Sequence, residues 1–293
     1  GTDPRKIRSD VDHEASEDAE GVSLDISWDL GALTFNSLSA YNDADRAIAQ
    51  DLDGADVAVR DQQSVLGAKT FTQEFQLLSD DNTDLKWMLG LFYFEEQSDY
   101  FFRITIPVLP GAEFTNTPVE VETTSQAIFG QVDYSFTDKL ALTAGLRYSR
   151  DEKDMLRGLF FTLDGVNAII DDVSTLDDSW EQTTGKLGLS YRASEDVLFY
   201  GSYSLGFKAG GFNGTSVAEP AYDPEFLDAY EVGMKGQFLE NQLQLNVSAF
   251  YYDYTDKVES KIDFIPGSAV SEVVFTNVGA ATITGIDIEV QSV

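Results

Sequence analysis

From Val22 to Leu30 apolar and polar residues alternate without a break. Val22, Leu24, Ile26, Trp28 and Leu30 stand against Ser23, Asp25, Ser27 and Asp29. Side chains of an extended strand point alternately to its two faces, so this segment has one greasy face and one wet face. The same period recurs along the chain. Leu140, Leu142, Ala144, Leu146 and Tyr148 oppose Ala141, Thr143, Gly145, Arg147 and Ser149. Tyr230, Val232, Met234 and Phe238 oppose Glu231, Lys235 and Gln237, and Leu243, Leu245, Val247, Ala249 and Tyr251 oppose Gln244, Asn246 and Ser248. Ile286, Ile288 and Val290 oppose Asp287, Glu289 and Gln291. Weaker copies fall at residues 33–42, 68–79, 86–94, 124–136, 182–191 and 197–206. The pattern predicts about eleven strands. Around Trp87–Phe94 both faces are apolar, which leaves the register open there. Glu225–Lys235 fits period two better than a helical period, so no helix is predicted.

The connections also alternate. Short ones fall at Leu30-Gly31-Ala32, Asp80–Asp84, Thr137-Asp138-Lys139, Arg192–Asp196 and Leu239-Glu240-Asn241. Long ones, read as loops, fall at residues 43–66, 95–122, 150–179, 207–224 and 256–271. Short turns on one side and long loops on the other describe a transmembrane barrel. Trp28, Trp87, Phe136, Tyr191 and Phe238 sit near short turns, as an interfacial aromatic girdle would. Tyr41, Tyr148, Tyr252 and Tyr254 are candidates for the opposite girdle. The competing reading is a soluble antiparallel sandwich. It fits poorly with alternating segments of nine residues or more, since soluble strands average about five or six. A membrane strand needs about 9–11.

Composition narrows the function classes. The chain has 293 residues, 19 Lys+Arg against 51 Asp+Glu, and a formal net charge of −32. That excess repels phosphate backbones, so nucleic acid is not an expected partner. With 43% hydrophobic and 12% aromatic residues the chain is too apolar for disorder. Cysteine is absent, which excludes thiolate sites and disulfides within the chain. No apolar run reaches the roughly 18 residues of a membrane helix, a test to which strands are invisible. The N-terminus has no apolar signal-peptide region.

Four segments then resemble the barrel of TonB-dependent receptors. Thr137–Tyr148 is similar to that family's turn and strand "TDKLxLTAGLRY", and Gly206–Asn213 to "GFKxGGFN". Tyr230–Lys235 resembles "YExGxK", and Asn277-Val278-Gly279 followed by Gly285–Glu289 resembles "NxGxxxxxGxExE". The likeness runs from about residue 21 to the end, in the family's order. It implies an all-β, antiparallel transmembrane β-barrel, present in part: about eleven strands of a larger wall of about 22. Residues 1–293 are then expected to be one portion of a barrel domain, with plug and barrel C-terminus absent, because an open half exposes two unpaired edges. The resemblance further implies an outer-membrane active-transport receptor of a Gram-negative bacterium, energised by the TonB complex through an N-terminal region. Its partners would be outer-membrane lipid, lipopolysaccharide and a small-molecule substrate. Ferric siderophores are the first substrate class, with cobalamin, saccharides and other chelates open. A passive porin and a soluble β-rich binding or adhesion domain are the alternatives.

No enzyme is expected. His13 is the sole histidine and sits in an acidic stretch, Asp10–Glu20, outside the patterned strands. Asp51–Asp56 fails as an EF-hand loop: aligning Gly54 to the invariant glycine puts Ala49 and Arg60 at the terminal ligand positions. Gly206–Gly214 lacks a Walker ending. Asn213-Gly214-Thr215 and Asn246-Val247-Ser248 match a glycosylation pattern that a bacterial barrel would not use. The expected catalytic, cofactor and metal residues are therefore none. Substrate-binding residues stay unassigned, because the matched motifs are architectural. Arg147, Lys186, Lys208 and Lys235 fall on or near polar faces; contact with an anionic ligand is one reading, and bridging to Asp133, Glu231, Asp287 and Glu289 is the one expected. Asp151, Glu152, Asp154, Asp164, Asp171, Asp172, Asp177 and Asp178 crowd residues 150–179, and divalent cations are expected to bridge some of them to lipopolysaccharide or to each other.

Overall fold

A computed structural model describes residues 9, 11–52, 59–80, 83–106, 112–116, 119–163, 167–214, 216, 218–264 and 271–292. Its strands are β1 (Glu14–Asp29), β2 (Leu33–Asp51), β3 (Asp61–Ser79), β4 (Leu85–Thr105), β5 (Glu113–Asn116), β6 (Val119–Thr137), β7 (Leu140–Leu163) and β8 (Asn167–Arg192). They continue as β9 (Val197–Lys208), β10 (Gly211–Phe212), β11 (Ala221–Tyr222), β12 (Glu225–Phe238), β13 (Leu243–Thr255), β14 (Val258–Phe264), β15 (Ser271–Asn277) and β16 (Ala281–Ser292). Among the described residues there is no helix, and Glu225–Lys235 is strand.

One antiparallel sheet of twelve strands dominates, in the order β1-β2-β3-β4-β6-β7-β8-β9-β12-β13-β16, with the four-residue β5 inserted between β4 and β7. Twelve less that insert leaves eleven long strands, each joined to its sequence neighbour in the wall, as the alternation predicted. Two small hairpins, β10–β11 and β14–β15, stand outside the sheet. Among the described residues β1 pairs only with β2, and β16 only with β13.

Register converts the period-two pattern into two continuous faces. Trp28 lies opposite Phe35 and Phe35 opposite Leu77. Farther along, Leu91 opposes Ile128, Ile128 opposes Tyr148, Tyr203 opposes Tyr230, and Tyr230 opposes Tyr251. This apolar face has nothing packed on it: Trp28 is 64% exposed, Leu146 68%, Val232 62% and Ile286 70%. The soluble sandwich would bury these side chains under a second sheet. A lipid-facing wall leaves them open to hydrocarbon instead. The register around Trp87–Phe94, open in the sequence, is settled by Leu89, Leu91 and Tyr93, which share the apolar face with Gly130, Ile128 and Gln126.

The aromatic borders are partly as expected. Trp28, Phe136 and Tyr191 are exposed near the short turns, and Trp87 opposes Val132 on the same face. Of the proposed second border, Tyr41 and Tyr148 are in place. Tyr252 and Tyr254 are not: they oppose Ala229 and Leu227, on the polar face. Their neighbour Tyr251 takes the border position with Tyr203 and Tyr230. Parity along the strand, and not height alone, decides which ring reaches lipid. Leu140 to Tyr148 is nine residues, within the roughly 9–11 that a tilted membrane strand uses.

The short turns have local causes. Gly31 sits at φ 90°, and its N–H donates to the Asp29 carboxylate at 2.7 Å. Thr137 Oγ1 accepts from the N–H groups of Lys139 and Leu140. Leu239, Glu240 and Asn241 all have positive φ, at 55°, 57° and 68°, closing the β12–β13 turn.

The long connections differ from expectation. Residues 43–51 and 61–66 continue β2 and β3, residues 95–105 continue β4, and most of 150–179 belongs to β7 and β8, which reach 24 and 26 residues. Ladder hydrogen bonding persists where apolar alternation stops, so tall hairpins replace loops at this end. Asp151, Glu152, Asp154, Asp177 and Asp178 are strand residues. Asp53, Asp56 and Asp164, and the side chains of Asp171 and Asp172, lie outside the described residues.

Face assignment has a direct test in the full-length protein folded into lipid vesicles. Leu146→Arg places a charge in the apolar band and is expected to cost about 2–4 kcal/mol in a urea titration. Thr72→Arg, on the polar face of β3, turns its charge to the lumen and away from lipid, and is expected to cost under about 1 kcal/mol, as substitutions at hydrated surfaces do. Equal costs at the two positions would refute the assignment.

Candidate functional site

The polar face is the surface a closed barrel turns to its lumen. Arg147, Lys186, Lys208 and Lys235 all fall on it by register. The expected ion pairs do not form: among the described residues none of the four is within ion-pair distance of Asp133, Glu231, Asp287 or Glu289. Neutral donors satisfy three of those carboxylates instead. Asp133 accepts from Gln131 Nε2 at 2.8 Å and from Thr143 Oγ1. Glu231 accepts from the Tyr200 hydroxyl, and Glu289 from Asn246 Nδ2 at 2.9 Å. Two of the four cations, Arg147 and Lys235, turn to rings. The Arg147 guanidinium lies 5.0 Å from the Phe92 centroid and 5.5 Å from that of Phe129, and its Nε donates to Ser149 Oγ. Lys235 lies 5.7 Å from the Tyr200 ring. Phe129 and Thr184 lie directly across from Arg147, and Leu198 and Asn246 from Lys235, so no carboxylate faces either cation and a ring within reach is the pairing left.

At the tall-hairpin end the polar face is covered. Arg157 on β7, Asn213 and Ser216 in the β9–β12 connection, and Val274 on β15 are buried, with exposures of 3%, 2%, 0% and 1%. Arg157 Nε donates to Ser174 Oγ at 2.9 Å, and its Nη1 donates to the carbonyls of Asn213, at 2.7 Å, and Ser216. A buried guanidinium holds its place only when its donors are occupied, and backbone carbonyls do that here. Asn213 is the last residue of the "GFKxGGFN" segment. Its Nδ2 donates to the carbonyls of Glu219 and Phe275, and its Oδ1 accepts from Phe275 N–H. Asn277, which opens the "NxG" segment, accepts from Asp223 N–H and donates to the carbonyls of Asp223 and Asp256. The asparagines of these two motifs thus fasten neighbouring connections to one another.

Lys153 and Trp180 form a smaller contact beside the knot. Lys153 Nζ donates to Gly210 O at 2.8 Å and lies 5.9 Å from the Trp180 centroid. Burial holds the Lys153 ammonium below its ordinary pKa, with Asp151 opposing that shift and Lys208 adding to it. Gly210 has to be glycine. A Cβ there would sit 2.6 Å from the Tyr222 carbonyl oxygen and 2.7 Å from the Trp180 ring. Gly211 packs as tightly against the Tyr222 hydroxyl end.

Sequence reasoning did not find Arg157. The available signal was a single cation within Met155-Leu156-Arg157-Gly158-Leu159, an otherwise apolar run. His13 is exposed and its Nε2 lies 3.0 Å from Ser9 Oγ. Among the described residues no three acidic or imidazole groups converge as metal ligands, and Asp164 with the side chains of Asp171 and Asp172 lies outside them.

A sheet of long antiparallel strands, apolar and exposed on one face, polar on the other, short-turned at one end, is the wall of a membrane β-barrel. The family described as "TonB dependent receptor-like, beta-barrel" matches residues 2–292. The chain belongs to that family, which consists of outer-membrane transport receptors of Gram-negative bacteria and not of enzymes. Over 135 residues it is 30% identical to the metal-pseudopaline receptor CntO of Pseudomonas aeruginosa, covering 44% of this chain and 17% of that protein. Over 149 residues it is 30% identical to the vitamin B12 transporter BtuB of Vibrio vulnificus, covering 48% and 23%. The fold matches the ferric yersiniabactin uptake receptor FyuA of Yersinia pestis with a TM-score of 0.79 at 16% identity, covering 96% of this chain and 40% of that one. The copper transporter OprC matches at a TM-score of 0.70 and 14% identity, covering 94% and 44%. The chain spans about a fifth of these curated relatives and under half of these solved structures.

Gly210→Ala tests the packing. Two close contacts must open, at an expected cost of about 1–3 kcal/mol for overpacking. The expected readout is faster proteolysis within residues 209–222 of the folded protein, with the rest of the wall unchanged. Wild-type cleavage kinetics would show that the glycine is dispensable.

Proposed function

We propose that this wall is part of an outer-membrane receptor that takes up a scarce nutrient with energy supplied by the TonB complex. The observation that carries the reading is the two-faced sheet, matched along its length by the barrel family. The single-sided edges of β1 and β16 call for further strands, because unpaired backbone groups cannot persist in hydrocarbon. Residues 1–293 are accordingly one portion of a barrel domain whose remaining strands and plug lie elsewhere in the protein. The apolar face and its aromatic borders meet outer-membrane lipid and lipopolysaccharide, and the plug region carries the TonB contact.

Ferric siderophores are the first substrate class in this proposal, and cobalamin, saccharides and other chelates follow. The names of relatives support metal chelates: a metal-pseudopaline receptor and a ferric-pyoverdine receptor stand beside the B12 transporter. The exposed apolar face weighs against a soluble binding domain. A passive porin gains no support from the relatives, which are named as receptors and transporters.

Growth and uptake separate active from passive transport. In iron-limited cells, deleting the gene is expected to abolish accumulation of at least one radiolabelled ferric siderophore. Re-expression is expected to restore it only where TonB is intact. Uptake that survives loss of TonB would favour the porin. No effect on any siderophore would move the search to cobalamin and saccharides.

A further inference from the structure

Three consecutive connections meet at the tall-hairpin end: the β7–β8 hairpin tip, the β9–β12 connection and the β13–β16 connection. Each is tied to the next through a buried polar side chain. Arg157 closes its own hairpin onto Ser174 and reaches across to the carbonyls of Asn213 and Ser216. Asn213 uses its whole carboxamide to join that connection to itself, at Glu219, and to β15, at both backbone groups of Phe275. Asn277 repeats the join from the other side, on Asp223 and Asp256. At the rim, Lys261 on β14 pairs with Glu219 at 2.6 Å, and the Tyr222 and Phe275 rings meet at a tilt of 50° with centroids 6.2 Å apart.

We propose that these three connections form one body, latched by Arg157 and Asn213, so that they are released together and not one at a time. The argument is one of desolvation. Withdrawing the β9–β12 connection takes two carbonyl acceptors from a guanidinium that is 3% exposed. It also takes the partners of an asparagine that is 2% exposed. An unpaired buried polar group costs more than its hydrogen bond contributes when made, and a buried charge costs more again. Partial release is therefore the least favourable state. The connections stay together or come apart together, which is cooperative local unfolding of a unit. The latch does not depend on the transport reading.

The test is hydrogen exchange of the full-length protein in detergent, read by peptide mass spectrometry, for Asn213→Asp and Arg157→Lys. Asn213→Asp turns an amide donor into a carboxylate facing two carbonyls. Exchange is expected to rise about tenfold in residues 209–222 and 271–277 and, with them, at the β7–β8 tip in residues 155–158 and 173–176. Arg157→Lys keeps the charge but loses the planar fork. It is expected to raise exchange in residues 256–259 and 276–277 as well, which the latch reaches through Asn213 and Asn277 and not through the Arg157 hydrogen bonds to Ser174, Asn213 and Ser216. Unchanged exchange in residues 140–148 confirms a folded wall. If either variant loosens only the segments its side chain contacts, or nothing, the connections are independent and the latch is refuted. Should Asn213→Asp fail to fold, Arg157→Lys decides alone. Uptake is not the readout, so failure of the transport reading leaves this result intact.

Discussion

Backbone hydrogen bonding without water is the constraint from which the rest follows. Hydrocarbon offers no partner for an N–H or a carbonyl, so a membrane sheet must satisfy every group along its own ladder. An unbroken ladder fixes parity. Once Trp28 faces lipid, so must Phe35, Leu77, Leu89 and every partner across the wall. One register slip would turn a whole strand's apolar side chains to the other face. The buried apolar side chains among the described residues are few, namely Phe102, Ala112, Val119, Ala127, Met155 and Val274. A hydrophobic core is therefore not what holds this sheet. Pairing and solvent choice hold it, with bilayer on one side and water or protein on the other.

That constraint also sets what could be read from the sequence. Strands such as Val22–Leu30 and Leu140–Ser149 were legible because lipid demands a greasy face at every second position. Above the apolar band both faces meet polar surroundings and the demand lapses. Residues 43–51 and 95–105 carry charges on both parities, yet the ladder runs through them. The alternation ended where the membrane ends, and the strands did not. Tyr252 and Tyr254 illustrate a different failure. Counting aromatics by height near a loop ignores which parity they share, and Tyr251 already held the lipid-facing place.

The knot was illegible for a physical reason of its own. Arg157 reads locally as an interruption in an apolar run, and Asn213 as the end of a glycine-rich loop. Their meaning lies in contacts made 56 to 62 residues away in sequence. Periodicity reports only which face a residue occupies, and says nothing about what folds back onto that face. Gly210 and Gly211 gave a usable hint, since a glycine pair beside aromatics marks a close approach, but not its partner.

Charge follows the same logic. A chain at −32 has carboxylates to spare, and cations on its polar face would be expected to find them. Instead Asp133, Glu231 and Glu289 are satisfied by amide and hydroxyl donors, while Arg147 and Lys235 lie over rings. Cross-strand geometry explains the choice. A side chain reaches its directly opposed and diagonal neighbours and little else, so register fixes the available partners before electrostatics can select among them. Arg157 escapes that rule because a folded-back connection brings carbonyls to it from outside the sheet. The wall therefore sets its own polar contacts through the ladder, and the connections above it add the contacts that the ladder cannot make.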